Sequence, residues 1–290
     1  MAATSPKDGA PVTGHPWPAQ LKLGLLIVGG IALLAALAPF IAPHPWDTVS
    51  IHTRFQPPST TYWLGTDDYG RDVLSRLLMG ARLSLGMGAC ATVFALAVGV
   101  PLGLAAGYVR GWVDELIMRA ADVLMAIPAI MLGLLVLAVT PPAPWKTALA
   151  VGFVYIPLIA RVARSVTLGL AGEDFVQAAR ARAESSAYIL FHEILPNAWP
   201  PLIVEASLRF TYAILLGSAL SFLGLGAQPP SSDWGLMIAE AREFIDRAPW
   251  IALAPGLAMC LLVVGINLVG DGLRERLDPR LQPGGQGLTR

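Results

Sequence analysis

Charged residues are scarce in this sequence. Asp, Glu, Lys and Arg make up only 14% of its 290 residues, and the formal net charge is zero. Soluble proteins carry about 25% charged residues. Hydrophobic residues reach 55% and the mean hydropathy is +0.60, so the composition indicates a protein whose partner is the lipid bilayer. Because a zero net charge gives no attraction to phosphate backbones, we expect no nucleic-acid partner.

Cysteine is almost absent. Cys90 and Cys260 are the only two, and each lies in an apolar run. No metal-binding spacing exists, and a disulfide framework beyond that one pair is excluded. The simplest interpretation is that both residues are small core hydrophobes.

The motifs of several enzyme classes are also missing. No Gly-x-x-x-x-Gly-Lys-Ser/Thr loop is present for a nucleotide phosphate, and no glycines precede Lys146, the only lysine beyond the first apolar run. His192-Glu193 is followed by Pro196 where a zinc protease needs a second histidine. We therefore expect a chain without a catalytic site, a metal or a cofactor of its own.

Six apolar runs are long enough to cross a bilayer, which takes about 20 helical residues. Backbone groups in lipid must be bonded internally, so the runs predict an all-α membrane protein. The predicted spans cover residues 23–42, 84–108, 118–140, 147–165, 200–224 and 249–270. They form one domain over residues 19–280, between a disordered tail at 1–18 and a second tail at 281–290.

The distribution of Lys and Arg predicts the orientation. With the N-terminus inside, twelve cationic residues fall on the cytoplasmic side and seven on the outer side. Six spans then leave both termini and both tails in the cytoplasm. The first outer loop weakens this bias, since it holds four arginines: Arg54, Arg71, Arg76 and Arg82.

A short polar stretch between the fourth and fifth spans runs from Gln177-Ala-Ala to Ile194-Leu-Pro196. Small and apolar residues cluster on one side of it, and such a helix can lie deep in a groove of a partner protein. From the residues alone, an interfacial amphipathic loop without a partner is an equally good interpretation.

The start and end of this stretch resemble the "EAA" loop of ABC-transporter permeases, a cytoplasmic elbow that docks into a cleft on a separate ATPase. Gln177 stands where that family usually has Glu, and Ala183 where it usually has Gly. Because alanine enters the left-handed backbone region less readily than glycine, we expect the elbow at Ser185 or Ser186. The resemblance implies that these residues couple to the ATPase: Phe175, Gln177, Ala178, Ala179, Ala183, Ile194, Leu195 and Pro196.

Three further stretches narrow the resemblance. They are Gly65-Thr-Asp-Asp-Tyr-Gly-Arg-Asp-Val-Leu-Ser-Arg76, Leu220-Ser-Phe-Leu-Gly-Leu-Gly-Ala-Gln-Pro-Pro230 and Gly270-Asp-Gly-Leu-Arg-Glu-Arg-Leu-Asp-Pro-Arg280. Together they resemble the C-type permease of the dipeptide/oligopeptide/nickel importer family. A structural interpretation of the first stretch is that Thr66 or Asp67 caps a helix lying at the outer interface.

The resemblance implies a multi-pass protein of the bacterial inner membrane that moves short peptides, with nickel, heme or another small solute as alternatives. It also implies a homologous second permease, two ATPase subunits that bind ATP and Mg, and an extracytoplasmic substrate-binding protein. The competing class is a secondary transporter or channel, which would need coupling-ion carboxylates near the middle of the membrane.

The segment between the fifth and sixth spans predicts a short amphipathic helix at the outer face, with Trp234, Met237 and Phe244 on its apolar stripe. A helix lying on the membrane surface explains this stripe. The resemblance implies instead a gate or a docking surface for the binding protein.

Two charges lie inside the fifth predicted span. Glu205 and Arg209 stand four residues apart, in the order that favours an ion pair on one helix face. A paired or snorkelling structural role and a contact with the solute both remain open.

Overall fold

The computed structural model describes residues 17–139 and 143–277. Within these ranges the chain is helical, and its extended backbone pairs only at an isolated bridge between Thr66 and Asp72. The predicted all-α class is thus confirmed. The tails predicted at 1–18 and 281–290 lie outside the described residues, apart from Trp17 and Pro18. The helices are α1 (Ala19–Ile41), α2 (Val73–Val109), α3 (Gly111–Met125), α4 (Ala129–Ala138), α5 (Pro144–Leu170), α6 (Asp174–Ala181), α7 (Ser186–Tyr188), α8 (Leu195–Phe222), α9 (Trp234–Ala241) and α10 (Trp250–Leu277).

Five helices are long and apolar enough to cross a membrane: α1, α2, α5, α10 and the continuous helix Ser186–Phe222 that contains α8. Helices α3 and α4 qualify only together, as a pair bent by 91°. The span predicted over 118–140 thus corresponds to two helices that meet at a bend. Pro128 lacks the N–H that would continue α3 and stands as the N-cap of α4. The count of six spans holds if the bent pair is one span.

Helix α2 begins 11 residues earlier than the predicted second span. Asp72 caps it, and the Asp72 carboxylate accepts a hydrogen bond of 3.1 Å from the Ser75 backbone N–H. A cap at Thr66 or Asp67 is therefore wrong. Both residues are buried in the turn that leads into the helix.

The tightest packing joins α2 to α5. A Cβ atom on Gly103 would lie 2.3 Å from the Ala160 carbonyl oxygen and 2.6 Å from the Ala163 Cβ. A Cβ on Gly99 or Gly107 would lie 2.9 or 2.7 Å from the nearest atom of α5. Small residues at four-residue spacing thus let the two helices touch along their backbones.

Two apolar cores result. One lies where α2, α5 and α8 meet and extends down to α6, and the other joins α1, the start of α2, α9 and α10. Cys90 and Cys260 belong to neither, since both are exposed on the outside of the bundle. The expectation of core cysteines is wrong because a helix facing lipid is as apolar outside as inside.

Replacing Gly103 by Leu should lower the free energy of unfolding by about 1–3 kcal/mol, since the side chain has no room against α5. Gly86→Leu is the matched control on the same helix, where a Cβ meets nothing within 4 Å. Thermal unfolding in mild detergent measures both. Equal shifts in the two variants would contradict a packing limit at Gly103.

Candidate functional site

The loop between α5 and α8 folds as two short helical pieces joined by a sharp turn. Helix α6 ends at Ala181, and Ala183 takes the left-handed backbone conformation with φ of 59°. The elbow expected at Ser185 or Ser186 is therefore wrong. Alanine adopts this conformation because the turn around it is fixed by the Glu184 N–H, which donates to the Ala179 carbonyl at 3.2 Å.

Ser185 has a different role in the loop. Its hydroxyl accepts a hydrogen bond of 3.2 Å from the Tyr188 N–H and caps the second helical piece. A π-helical turn, Ile189–Ile194, follows, in which the Leu195 N–H donates to the Leu190 carbonyl five residues back. Such widened turns are frequent at functional sites, and this one comes directly before Pro196, which has no N–H to donate.

The predicted coupling residues divide between two faces. Ala179 and Ile194 are completely buried in the chain's own core, together with Val176. The inward set at 176 and 179 follows the helical repeat of α6. Phe175 and Leu195 are half-buried, and the exposed members are Gln177, Ala178, Ala183 and Pro196.

Aromatic residues widen the exposed face. Tyr188 and His192 are stacked in parallel with ring centroids 4.7 Å apart, and Phe191 beside them is 48% exposed. The exposed residues between positions 177 and 196, which include Tyr188, Phe191 and His192, are called the loop surface below. The aromatics were missed as site residues because sequence alone does not say which side of a short helix faces outward.

The opposite end of the bundle contradicts one prediction. Trp234 and Met237 are 1% and 0% exposed, inside the chain's own core. The Trp234 indole N–H donates to the Leu77 carbonyl at 3.0 Å. Neither side chain is therefore accessible to a docking protein, because the apolar stripe of α9 packs against α2, α8 and α10. A role of α9 in gating stays a prediction. Phe244 is half-buried, with its ring 5.0 Å from that of Phe55.

A buried ion network ties α9 to the turn before α2. Asp67 Oδ2 lies 2.6 Å from Arg71 Nε and 2.7 Å from Arg76 Nη1. Glu240 Oε2 on α9 lies 3.1 Å from Arg71 Nη2 and 2.9 Å from Arg76 Nη2. Two carboxylates and two guanidinium groups thus alternate, and Arg76 also donates to the Ser231 carbonyl at 2.9 Å. Buried charges are tolerated when paired in this way.

The Asp68 carboxylate lies beside this network, in surroundings that disfavour its negative charge. Burial raises the pKa of the Asp68 carboxyl above its usual range, and the negative charges of Asp67 and Glu240 add to the rise. Among the described residues, no group of three or more His, Cys, Asp or Glu side chains could hold a metal ion. The negative charges of Asp67 and Glu240 are balanced instead by Arg71 and Arg76 of the same chain.

The two charges of the fifth predicted span are in contact. Arg209 Nε lies 2.6 Å from Glu205 Oε1, and both side chains are largely buried. The guanidinium also lies over the rings of Tyr155 and Tyr212, 5.6 and 5.3 Å from their centroids.

Comparison with known proteins gives two family matches. Residues 99–283 match the family described as binding-protein-dependent transport system inner membrane component. Residues 22–58 match the N-terminal TM domain of oligopeptide transport permease C. The first match includes the whole loop surface.

Curated relatives are similar over most of their length. The dipeptide transport system permease protein of Alkalihalophilus pseudofirmus is 43% identical over 90% of this chain and 86% of the relative. The di/tripeptide transport system permease protein of Pseudomonas aeruginosa is 41% identical over 89% and 88%. The glutathione transport system permease protein of Pectobacterium atrosepticum is 39% identical over 92% and 90%.

Solved structures share the fold. An inward-facing structure of the MetNI methionine ABC transporter matches 71% of this chain and 97% of the matched chain, with a TM-score of 0.60. The sequence identity is 18%, so this likeness concerns the fold alone.

Replacing Arg76 by Met should lower the free energy of unfolding by about 3–5 kcal/mol, because Asp67 and Glu240 would lose one of their two buried partners. Arg82→Met is the matched control, an exposed arginine on the same helix, and should change stability by less than about 0.5 kcal/mol. Thermal unfolding in detergent compares them. A small, equal effect of both substitutions would show that the network does not hold α9 in place.

Proposed function

The chain belongs to the family of binding-protein-dependent transport system inner membrane components, and we propose that it forms half of the translocation path of an importer for short peptides. Relatives named for dipeptides, di/tripeptides and glutathione, itself a tripeptide, are similar to it over about nine-tenths of its length. The agreement among these names supports short peptides as the substrate class. Nickel, heme or another small solute is the alternative within the same transport role.

The main competing class, a secondary transporter, finds less support. Such a protein uses free carboxylates near the middle of the membrane to bind its coupling ion. Glu205 lies in that region, but it is paired with Arg209 at 2.6 Å. The pairing favours a transporter whose energy comes from partner chains.

The partners follow from this role. A homologous second permease completes the path, two ATPase subunits bind ATP and Mg, and a binding protein delivers the solute from outside. Of the three residues predicted for docking outside, only Phe244 remains partly accessible, beside Phe55. The buried ion network then acts as a brace that keeps the outer end of α9 fixed.

The loop surface is proposed to dock on the ATPase. Its inward side, with Val176, Ala179 and Ile194, packs on the bundle core, so a push on the outer side reaches the transmembrane helices directly. Gln177 and Ala178 are exposed next to this packed side. The small Ala178 leaves room for close approach of a partner groove.

Both termini are proposed to lie in the cytoplasm, on the same side as the loop surface. The proposal rests on the excess of Lys and Arg on that side, twelve against seven. Of the four arginines of the first outer loop, Arg71 and Arg76 are buried in ion pairs with Asp67 and Glu240.

Reporter fusions test this topology. A reporter that is active only in the cytoplasm should work when fused after Arg290 and fail when inserted between Gln228 and Pro229, in the exposed turn before α9. Protease accessibility of the two insertions in intact spheroplasts is the independent readout. The reverse pattern would place the loop surface outside and remove its access to any ATPase.

Ala178→Arg tests the transport role and the coupling surface together. The complex should co-purify in mild detergent with two ATPase chains and a second permease, and wild-type vesicles should take up a dipeptide only with ATP. Ala178→Arg should keep the thermal stability of the subunit but lower uptake at least about tenfold, since an exposed bulky charge blocks a groove contact.

Two controls make the result specific. Ala178→Ser keeps the small size and should transport normally. Ala179→Arg places a charge in the core and should reduce the amount of folded subunit, because that residue is 0% exposed. Normal ATP-driven uptake by Ala178→Arg would remove Ala178 from the ATPase contact, and absence of ATP-driven peptide uptake in wild type would overturn the proposed function.

A further inference from the structure

Arg209 is a charged residue inside the continuous helix Ser186–Phe222, which is long and apolar enough to cross a membrane. The nearer end of that helix, Phe222, is about 20 Å away at 1.5 Å per residue. A snorkelling side chain reaches the interface only from near a helix end. The distance of Arg209 from both helix ends disfavours snorkelling to either of them.

The guanidinium group is also incompletely satisfied. Its Nε atom is buried and touches Glu205 Oε1 at 2.6 Å, but without the geometry of a hydrogen bond. Among the residues that the structure describes, no acceptor receives a hydrogen bond from Arg209, although a guanidinium has five N–H donors. A group this polar at this depth requires a further partner.

The residues around the Arg209 guanidinium hold it in place but do not accept hydrogen bonds from it. The Tyr155 hydroxyl, on α5, donates to the Tyr212 backbone carbonyl at 3.2 Å and fixes the Tyr155 ring, and the guanidinium lies over this ring and that of Tyr212. Glu205 balances its charge on the third side. The two terminal nitrogens, which form the planar fork of an arginine, donate no hydrogen bond to any residue that the structure describes.

The pair borders open space. Arg209 and Glu205 keep 14% and 12% of their side chains exposed. Glu205 lines a cleft of about 580 Å³ between α8 and the end of α10, whose other polar lining residues are Asn197 and Arg274. Asn197 follows directly on the loop surface, so the cleft lies toward that end of the bundle. The cleft therefore opens on Glu205, and Arg209 is the next polar group along the same helix face.

We propose that Arg209 is a binding subsite for a carboxylate of the transported solute, and that Glu205 positions its guanidinium. The fork of an arginine matches a carboxylate with two parallel hydrogen bonds, and the ligand would supply the acceptors that the chain lacks. Every short peptide carries such a group at its C-terminus. This inference rests on the proposed function and adds the chemical group by which the path contacts the peptide.

The test uses the complete importer, with its ATPases and binding protein, reconstituted in vesicles with labelled alanyl-alanine as the probe. Arg209→Lys keeps the charge but loses the fork. Glu205→Gln/Arg209→Gln removes both charges and leaves none unpaired in the membrane. Both should lower the maximal uptake rate about tenfold or more, which corresponds to losing hydrogen bonds to a charged group.

A matched control comes from α3. Glu115 and Arg119 form an ion pair with the same four-residue spacing, but both side chains are largely exposed. Glu115→Gln/Arg119→Gln removes equal charges and should leave uptake unchanged. Thermal unfolding of each complex supplies a readout that a purely structural pair would move and a solute subsite would not.

The outcomes separate the two ideas. Reduced uptake at an unchanged melting temperature supports the subsite. Uptake at the wild-type rate in both Arg209 variants overturns the subsite while peptide transport stands, and so does reduced uptake that merely follows a lower melting temperature in Arg209→Lys. Wild-type vesicles that take up no alanyl-alanine with ATP would overturn the proposed function and the subsite with it.

Discussion

The alternation of Asp67, Arg71, Arg76 and Glu240 determines the arrangement of the end of the bundle opposite the loop surface. These charges lie where water is excluded, so each has to contact an opposite charge, and the geometry that satisfies all four holds Glu240 of α9 against the start of α2. Once α9 is held there, Trp234 and Met237 have no position except the core. The packing of α9 between α2 and α8 then follows from the network.

The opposite end depends on small side chains instead of charge. Ala179 is buried completely beside Val176 and Ile194, so α6 lies directly on the bundle core. A larger residue at position 179 would lift α6 away from the helices it contacts. The neighbouring residues 177 and 178 build the exposed face, so one side of this short helix packs on the bundle and the other is accessible.

Much of the fold could be predicted from the sequence, since runs of about 20 apolar residues admit only helices in lipid. What each of those helices packs against could not be predicted from the sequence. An apolar stripe such as that of Trp234 can pack equally well against lipid, another protein or the chain's own core. Only the contact with Leu77 in the folded structure shows that it packs in the core. The pairing of Arg76 with Glu240, 164 residues later, is likewise invisible in local patterns. The position of the elbow at Ala183 could not be predicted either, because contacts of the folded loop hold this residue in a conformation that alanine alone disfavours.

The continuous helix Ser186–Phe222 joins these features into one mechanical element. Its first turns belong to the loop surface, Arg209 lies near its middle, and its last turns touch α9, where a Cβ on Gly235 would lie only 2.3 Å from the Ser218 carbonyl oxygen. A packed helix moves as a unit because its interior has little free volume to absorb strain. In the proposed docking of the loop surface on an ATPase, a displacement of α6 reaches the guanidinium of Arg209 through this one helix, while the ion network holds α9 at the far end. The π-helical turn at Ile189–Ile194 is the one described segment of this helix with widened hydrogen bonding, so bending between the loop surface and the path concentrates there.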